Sequence, residues 1–182
     1  MATPRAVIGF WQEAGPAKWF AHGEAFDEAI RNRFEDLHHA AARGELNGWM
    51  ESWEGSLALL LLLDQFPRNV FRGSAHSWAT DPLAKRLADR ALEAGHDALA
   101  PAELRVFYYL PFEHSEDLAD QERCVALCQM LDKASGSTFS NWAILHCDIV
   151  ARFGRFPHRN AALGRVSTTQ ELAFLDSGGF AG

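Results

Sequence analysis

With 182 residues, 48% hydrophobic and 23% charged, the chain has the length and composition of one globular domain spanning 1–182 and able to bury a core. Its net charge of −7 argues against broad binding to nucleic acid or to an anionic membrane, since both select a basic face. Cys124, Cys128 and Cys147 fit no disulfide framework and no zinc spacing, and Cys124 and Cys128, four apart on a helix, are expected as small apolar core residues and not as a redox pair. The start of the chain lacks a basic region followed by a long apolar one, and the expected address is the cytoplasm.

The first segment, VIGFW at 7–11, predicts a short helix ended by Gly15-Pro16. Phe26, Ile30, Phe34, Leu37 and Ala41 then recur at helical steps, with Gly44 at the position of a C′ residue. Trp49 and Trp53 lead into LALLLLL at 57–63, which is apolar all round and therefore a buried helix. Seven residues fall far short of the roughly 20 that a membrane span needs. Gly55 weakens the first turns of this helix and leaves its start open.

Asp81-Pro82 reads as an N-cap followed by proline at the first helical position. Leu83, Leu87 and Ala91 form one stripe of that helix, and Gly95 stops it. Pro101 opens the next helix, AELRVFYYL, and Pro111 is expected to close it. Ser115, with Glu116 and Asp117 behind it, is the expected cap of a helix carried inward by Leu118, Val125, Cys128 and Leu131. Trp142, His146, Ile149, Val150 and Phe153 share a face of the following helix. Ser167 and Gln170 have capping-box spacing for a last one. No stretch alternates as a strand does, so the fold class is all-α, with seven or eight helices around the leucine-rich one. His22, His38 and His39 are expected to be solvated.

One pattern returns. Phe66-Pro67-Arg68-Asn69 is echoed, with one insertion, by Phe156-Pro157-His158-Arg159-Asn160. In both, phenylalanine anchors the bend, proline ends the helix, and arginine and asparagine can bond the orphaned carbonyls. Between them lies Glu113-His114 in YYLPFEHSED.

LLLDQFPRN, YLPFEHSED and FGRFPHRN, followed by LGR and ST at 163–168, closely resemble the bacterial "domain of unknown function 924" family. The likeness covers nearly the whole chain, including FW at 10–11, WF at 19–20 and FDEAIRNRF at 26–34. Cys147, in HCDIV, departs from the polar or basic residue expected there. The resemblance implies an all-α, tetratricopeptide-like helical array and brings no activity with it.

Arg152, Arg155, Arg159 and Arg165 make 146–165 basic, and Glu113, Glu116, Asp117, Asp120 and Glu122 make 113–123 acidic. One reading is structural: Arg68, Arg155 or Arg159 bridges to Glu113 or Asp117 and pins the helix ends. The other is a site formed where the three bends meet. Its candidates are Asp64, Arg68, Asn69, Arg72, His114, Arg155, His158, Arg159, Asn160 and Arg165, which suit a small anionic ligand or an acidic peptide. A third possibility is a small enzyme with His114 as acid or base, oriented by Glu113 or Asp64, and a fourth a protein–protein scaffold without chemistry. His146 on its apolar face reads as a hydrogen-bonded core histidine. No cofactor, metal, nucleic-acid or membrane partner is expected, and the oligomeric state is open.

Overall fold

The computed structural model describes residues 3–181, which form twelve α-helices joined by short 3₁₀ and π segments and contain no strand. The helices are more numerous and shorter than the periodicity suggests. The chain divides into two compact units. The first comprises residues up to Arg72 together with His76–Pro111, and the second Gly73–Ala75 together with residues from Phe112 on. No helix among the described residues is long and apolar enough to cross a membrane.

In the first unit, α1 (Pro4–Ala14) starts on a Thr3 cap with proline at its first position. Helices α2 (Pro16–Trp19) and α3 (Glu24–Ala42) follow. Gly44, at a positive φ of 77°, closes α3 as expected, its N–H donating to the Ala41 carbonyl. Helix α4 (Trp53–Leu60) is capped by the Ser52 hydroxyl, which accepts from Gly55 N. Gly55 is a packing requirement: a Cβ there would lie 1.9 Å from the Trp49 carbonyl oxygen of the preceding 3₁₀ turn.

A π segment, Leu61–Gln65, carries α4 into α5 (Phe66–Val70), so the leucine helix runs through Pro67 without breaking. The π turn follows from the proline. Phe66 N donates five residues back, to Leu61. Pro67 has no N–H to give to Leu62 or Leu63. Both carbonyls find side chains instead: His38 Nδ1 donates to Leu62 O at 2.8 Å, and the Thr80 hydroxyl donates to Leu63 O. His38 is therefore buried, against the expectation of a solvated residue, and burial lowers its pKa. Leu57 to Leu63 are all buried, each leucine contributing about 2 kcal/mol by area removed from water.

The first unit is completed by α6 (Asp81–Glu93), α7 (His96–Leu99) and α8 (Ala102–Arg105). Asp81 does not cap α6, because its carboxylate is bound elsewhere. Pro111 does not close a helix either; it lies in the first turn of α9 (Leu110–Glu113), where a missing N–H costs nothing.

In the second unit α10 (Leu118–Ser135) packs on α11 (Phe139–Phe153). The cap of α10 is Asp117, whose carboxylate accepts from Ala119 N; Ser115 donates instead to Asp120. Helix α10 buries Gln121, Cys124, Cys128 and Leu131, while Leu118 is exposed. Helix α11 buries Ala143, His146, Ile149 and Val150, and Trp142 leaves the expected face at 57% exposure. The last helix, α12 (Thr169–Asp176), has its capping box one residue later than predicted, on Thr168 and Glu171.

Candidate functional site

The sequence candidates separate into locks and a cluster. In the first unit Arg68 forms a fork with Asp81, Nη1 and Nη2 each 2.9 Å from a carboxylate oxygen, and Nη1 also donates to the Asp64 carbonyl. The buried Asp64 carboxylate lies 3.5 Å from Arg68 and accepts from Gln65 Nε2. Asn69 Nδ2 and the Arg72 guanidinium both donate to Asp27. Arg68 thus supplies a donor to a carbonyl of the bend, and Asn69 and Arg72 tie the bend to Asp27 of α3.

In the second unit two arginines are committed in the same way. Arg155 donates through Nε and Nη2 to the Glu171 carboxylate, at 2.6 and 2.8 Å, and to Val166 O. That fork, together with the Thr168 cap, holds the Glu171 carboxyl down at about 2. Arg165 grips both oxygens of Glu116, at 2.6 and 2.9 Å. Glu116 also receives Phe156 N at 2.8 Å. Partial burial raises the Glu116 pKa, but the bonds from Arg165 and Phe156 outweigh it and the net shift is downward. So the structural pairing expected of Arg68 and Arg155 exists with other partners: Asp64, Asp81 and Glu171 instead of Glu113 and Asp117.

The cluster surrounds Phe156. Its fully buried ring has the Arg159 guanidinium 4.4 Å above it, and the rings of His146 and His158 lie at 5.5 and 5.7 Å. Arg159, only 6% exposed, donates from Nη1 to the His114 carbonyl at 3.0 Å. This brings 113–114 and 156–160 together. The imidazole beside Glu113 is that of His146, with Nδ1 3.6 Å from Glu113 Oε1; the same nitrogen donates to Trp142 O at 2.8 Å. His146 is thus a hydrogen-bonded buried histidine, as read, and also the carboxylate's neighbour, which was not foreseen. Phe180 closes against both histidine rings, at 4.6 Å from His146 and 5.2 Å from His158.

Asn160 is 1% exposed. Its Nδ2 donates to Ser167 Oγ at 3.0 Å, and its Oδ1 has no hydrogen-bond partner among the described residues. Gln121 is a second buried amide, and sequence reasoning missed it. Its Nε2 donates to the carbonyls of Glu113 and Ser115, each at 2.6 Å, and so fixes the turn that presents Glu113 and His114. The signal was present: position 121 falls in register with Cys124, Cys128 and Leu131 on the buried stripe of α10. Among the described residues no group of three His, Cys, Asp or Glu side chains is arranged to hold a metal ion.

The cluster therefore offers a buried guanidinium, a carboxylate–imidazole pair, a second imidazole and an amide with an acceptor to spare. Such a set can bind a small anion that also carries a donor, and can move a proton.

A family model described as "Bacterial protein of unknown function (DUF924)" matches residues 7–179. A solved structure described as a "Protein of Unknown Function ATU0120 from Agrobacterium tumefaciens" is similar to the chain at 52% identity and a TM-score of 0.90. The likeness covers 96% of this chain and 97% of that one. No curated protein matches.

Proposed function

This chain belongs to the DUF924 family, whose description names no activity, and from its geometry we propose that it is a binding protein for a small anionic ligand held among the polar groups around Phe156. The observation that carries this reading is Asn160. A buried amide oxygen without a partner costs about 1–3 kcal/mol, and it stands next in sequence to a buried arginine. A ligand that is anionic toward Arg159 and donates to Asn160 repays that cost. The Arg159 guanidinium, buried over the Phe156 ring and adjacent in sequence to Asn160, is the cation of the site.

The test is a melting experiment with phosphate, sulfate and small hydroxy- or amino-carboxylates. At least one should raise the Tm, and Arg159→Ala should remove the gain. A Tm indifferent to every anion defeats the reading.

A second reading, a small acid–base enzyme, is favoured by the Glu113–His146 pair. With its proton on Nδ1, a neutral His146 accepts through Nε2, and Glu113 stabilises the imidazolium that results. Turnover of an ester or phosphate ester that is lost in His146→Asn, with anion binding kept, would favour it. We also read the helical array as tetratricopeptide-like, on the support of the consecutive antiparallel pair α10 and α11.

A further inference from the structure

The first unit contains a cleft of about 520 Å³ between the end of α1, α2 and the start of α3. That volume lies within the range of ligand pockets. Its apolar lining is built on Phe10 and Phe26, half-buried and stacked nearly parallel with ring centroids 5.6 Å apart. Ala14 of α1, Ala21 in the turn after α2, and Ala25 and Ala29 of α3 complete it. Around this lining stand Lys18, His22 and Arg33, against the single acid Glu13. Among the described residues none of these four forms an ion pair, although the chain as a whole is acidic and Arg68, Arg72, Arg155 and Arg165 are taken up by carboxylates. Arg33 is held in place by ring stacking, its guanidinium 4.8 Å from the Phe10 centroid and 5.3 Å from that of Phe34. A flat apolar lining under uncommitted cations complements one kind of molecule, an acid with a planar apolar body.

We propose that this cleft is a second ligand site, specific for a small aromatic carboxylate, whose ring lies against Phe10 and Phe26 and whose carboxylate faces Arg33 and Lys18. It is independent of the cluster around Phe156. Trp19 and Trp11 report on it, because Trp11 stacks on Phe26 at 5.9 Å and on Trp19 at 6.1 Å.

The experiment is a titration of the full chain with phenylacetate, read by tryptophan fluorescence and by calorimetry, with phenylacetamide as the uncharged control. Binding should saturate for phenylacetate and be about tenfold weaker for the amide and in Arg33→Glu or Lys18→Glu. Both variants change exposed side chains, and circular dichroism checks that they stay folded. Arg159→Ala should bind phenylacetate as the unaltered chain does. No saturation, equal affinity for the amide, or indifference to Arg33→Glu would overturn the proposal. So would binding that is lost in Arg159→Ala and kept in Arg33→Glu, which would assign the ligand to the Phe156 cluster.

Discussion

Phe66 and Phe156 hold the same place in two versions of one local pattern, and their neighbours differ in kind. Phe66 is surrounded by Trp11 at 5.4 Å, Phe34 at 5.2 Å and Phe10 at 6.4 Å, all apolar rings. Phe156 is surrounded by Arg159, His146 and His158. The surroundings of the arginines differ too. Arg68 forks onto Asp81 beside Asp64, and Arg159 donates to the His114 carbonyl, lies over the Phe156 ring and acts on the charge of Glu116. A bend that must only hold a chain in place matches charge with charge and packs the rest with hydrocarbon. The second bend keeps ionisable groups around its phenylalanine, where burial is costly unless each group is paired.

The largest expected effect tests the lock. Arg68→Ala leaves Asp64 buried without its cation and Asp81 without its fork, and should cost about 3–5 kcal/mol in urea unfolding. A loss under about 1 kcal/mol would show that the first bend needs no charge matching. Gly55→Ala should cost about 1–3 kcal/mol, since its Cβ meets backbone that must shift. That change probes the entry to the leucine helix and should leave anion binding untouched.

Arg159→Ala should cost less than Arg68→Ala, about 1–3 kcal/mol: it removes the bond to the His114 carbonyl and a cation that helps hold the Glu116 pKa down, but Glu116 keeps its fork from Arg165. Acid should separate the two regions further. His38 has a lowered pKa, so the unfolded chain takes up its proton first, and stability falls as pH drops below the ordinary histidine value of 6.5. Glu171 is depressed to about 2, so its contribution is complete above the unfolded value of 4.5 and fades as pH falls from there toward 2. Unfolding followed from pH 8 to 3 should therefore decline in two steps, and His38→Gln should remove only the first.

Much of this arrangement was legible in the chain. The apolar run at 57–63, the glycine after α3 and the amphipathic stripe of α6 each carry their own local signal, and each is where periodicity puts it. The bends announced themselves through Phe-Pro and a following Arg-Asn. The missing information is of two kinds. Pro67 reads as a helix stop, because sequence rules count the N–H it lacks and cannot count the hydroxyl of Thr80 and the imidazole of His38 that replace it from far along the chain. His146 was assigned to packing because its carboxylate neighbour, Glu113, is on another helix, and no spacing within α11 hints at it. Pairings across segments are set by tertiary geometry, and that geometry is also what assembles the Phe156 cluster.

The smallest effect is the sharpest test of the contrast, because it compares like with like. Asn69 and Asn160 follow the arginine in each bend. Asn69 donates to Asp27 at 2.7 Å in a bond that a carboxylate strengthens, so Asn69→Ala should cost about 1–2 kcal/mol. Asn160→Ala loses one bond to Ser167 but also removes a buried oxygen that no described residue satisfies, and these two changes oppose each other. Its net cost without ligand should be within about 0.5 kcal/mol of zero. The same substitution should abolish the anion-induced rise in Tm, which Asn69→Ala should leave intact. An Asn160→Ala chain that unfolds as readily as Asn69→Ala, and still responds fully to anions, would make the second bend a lock like the first.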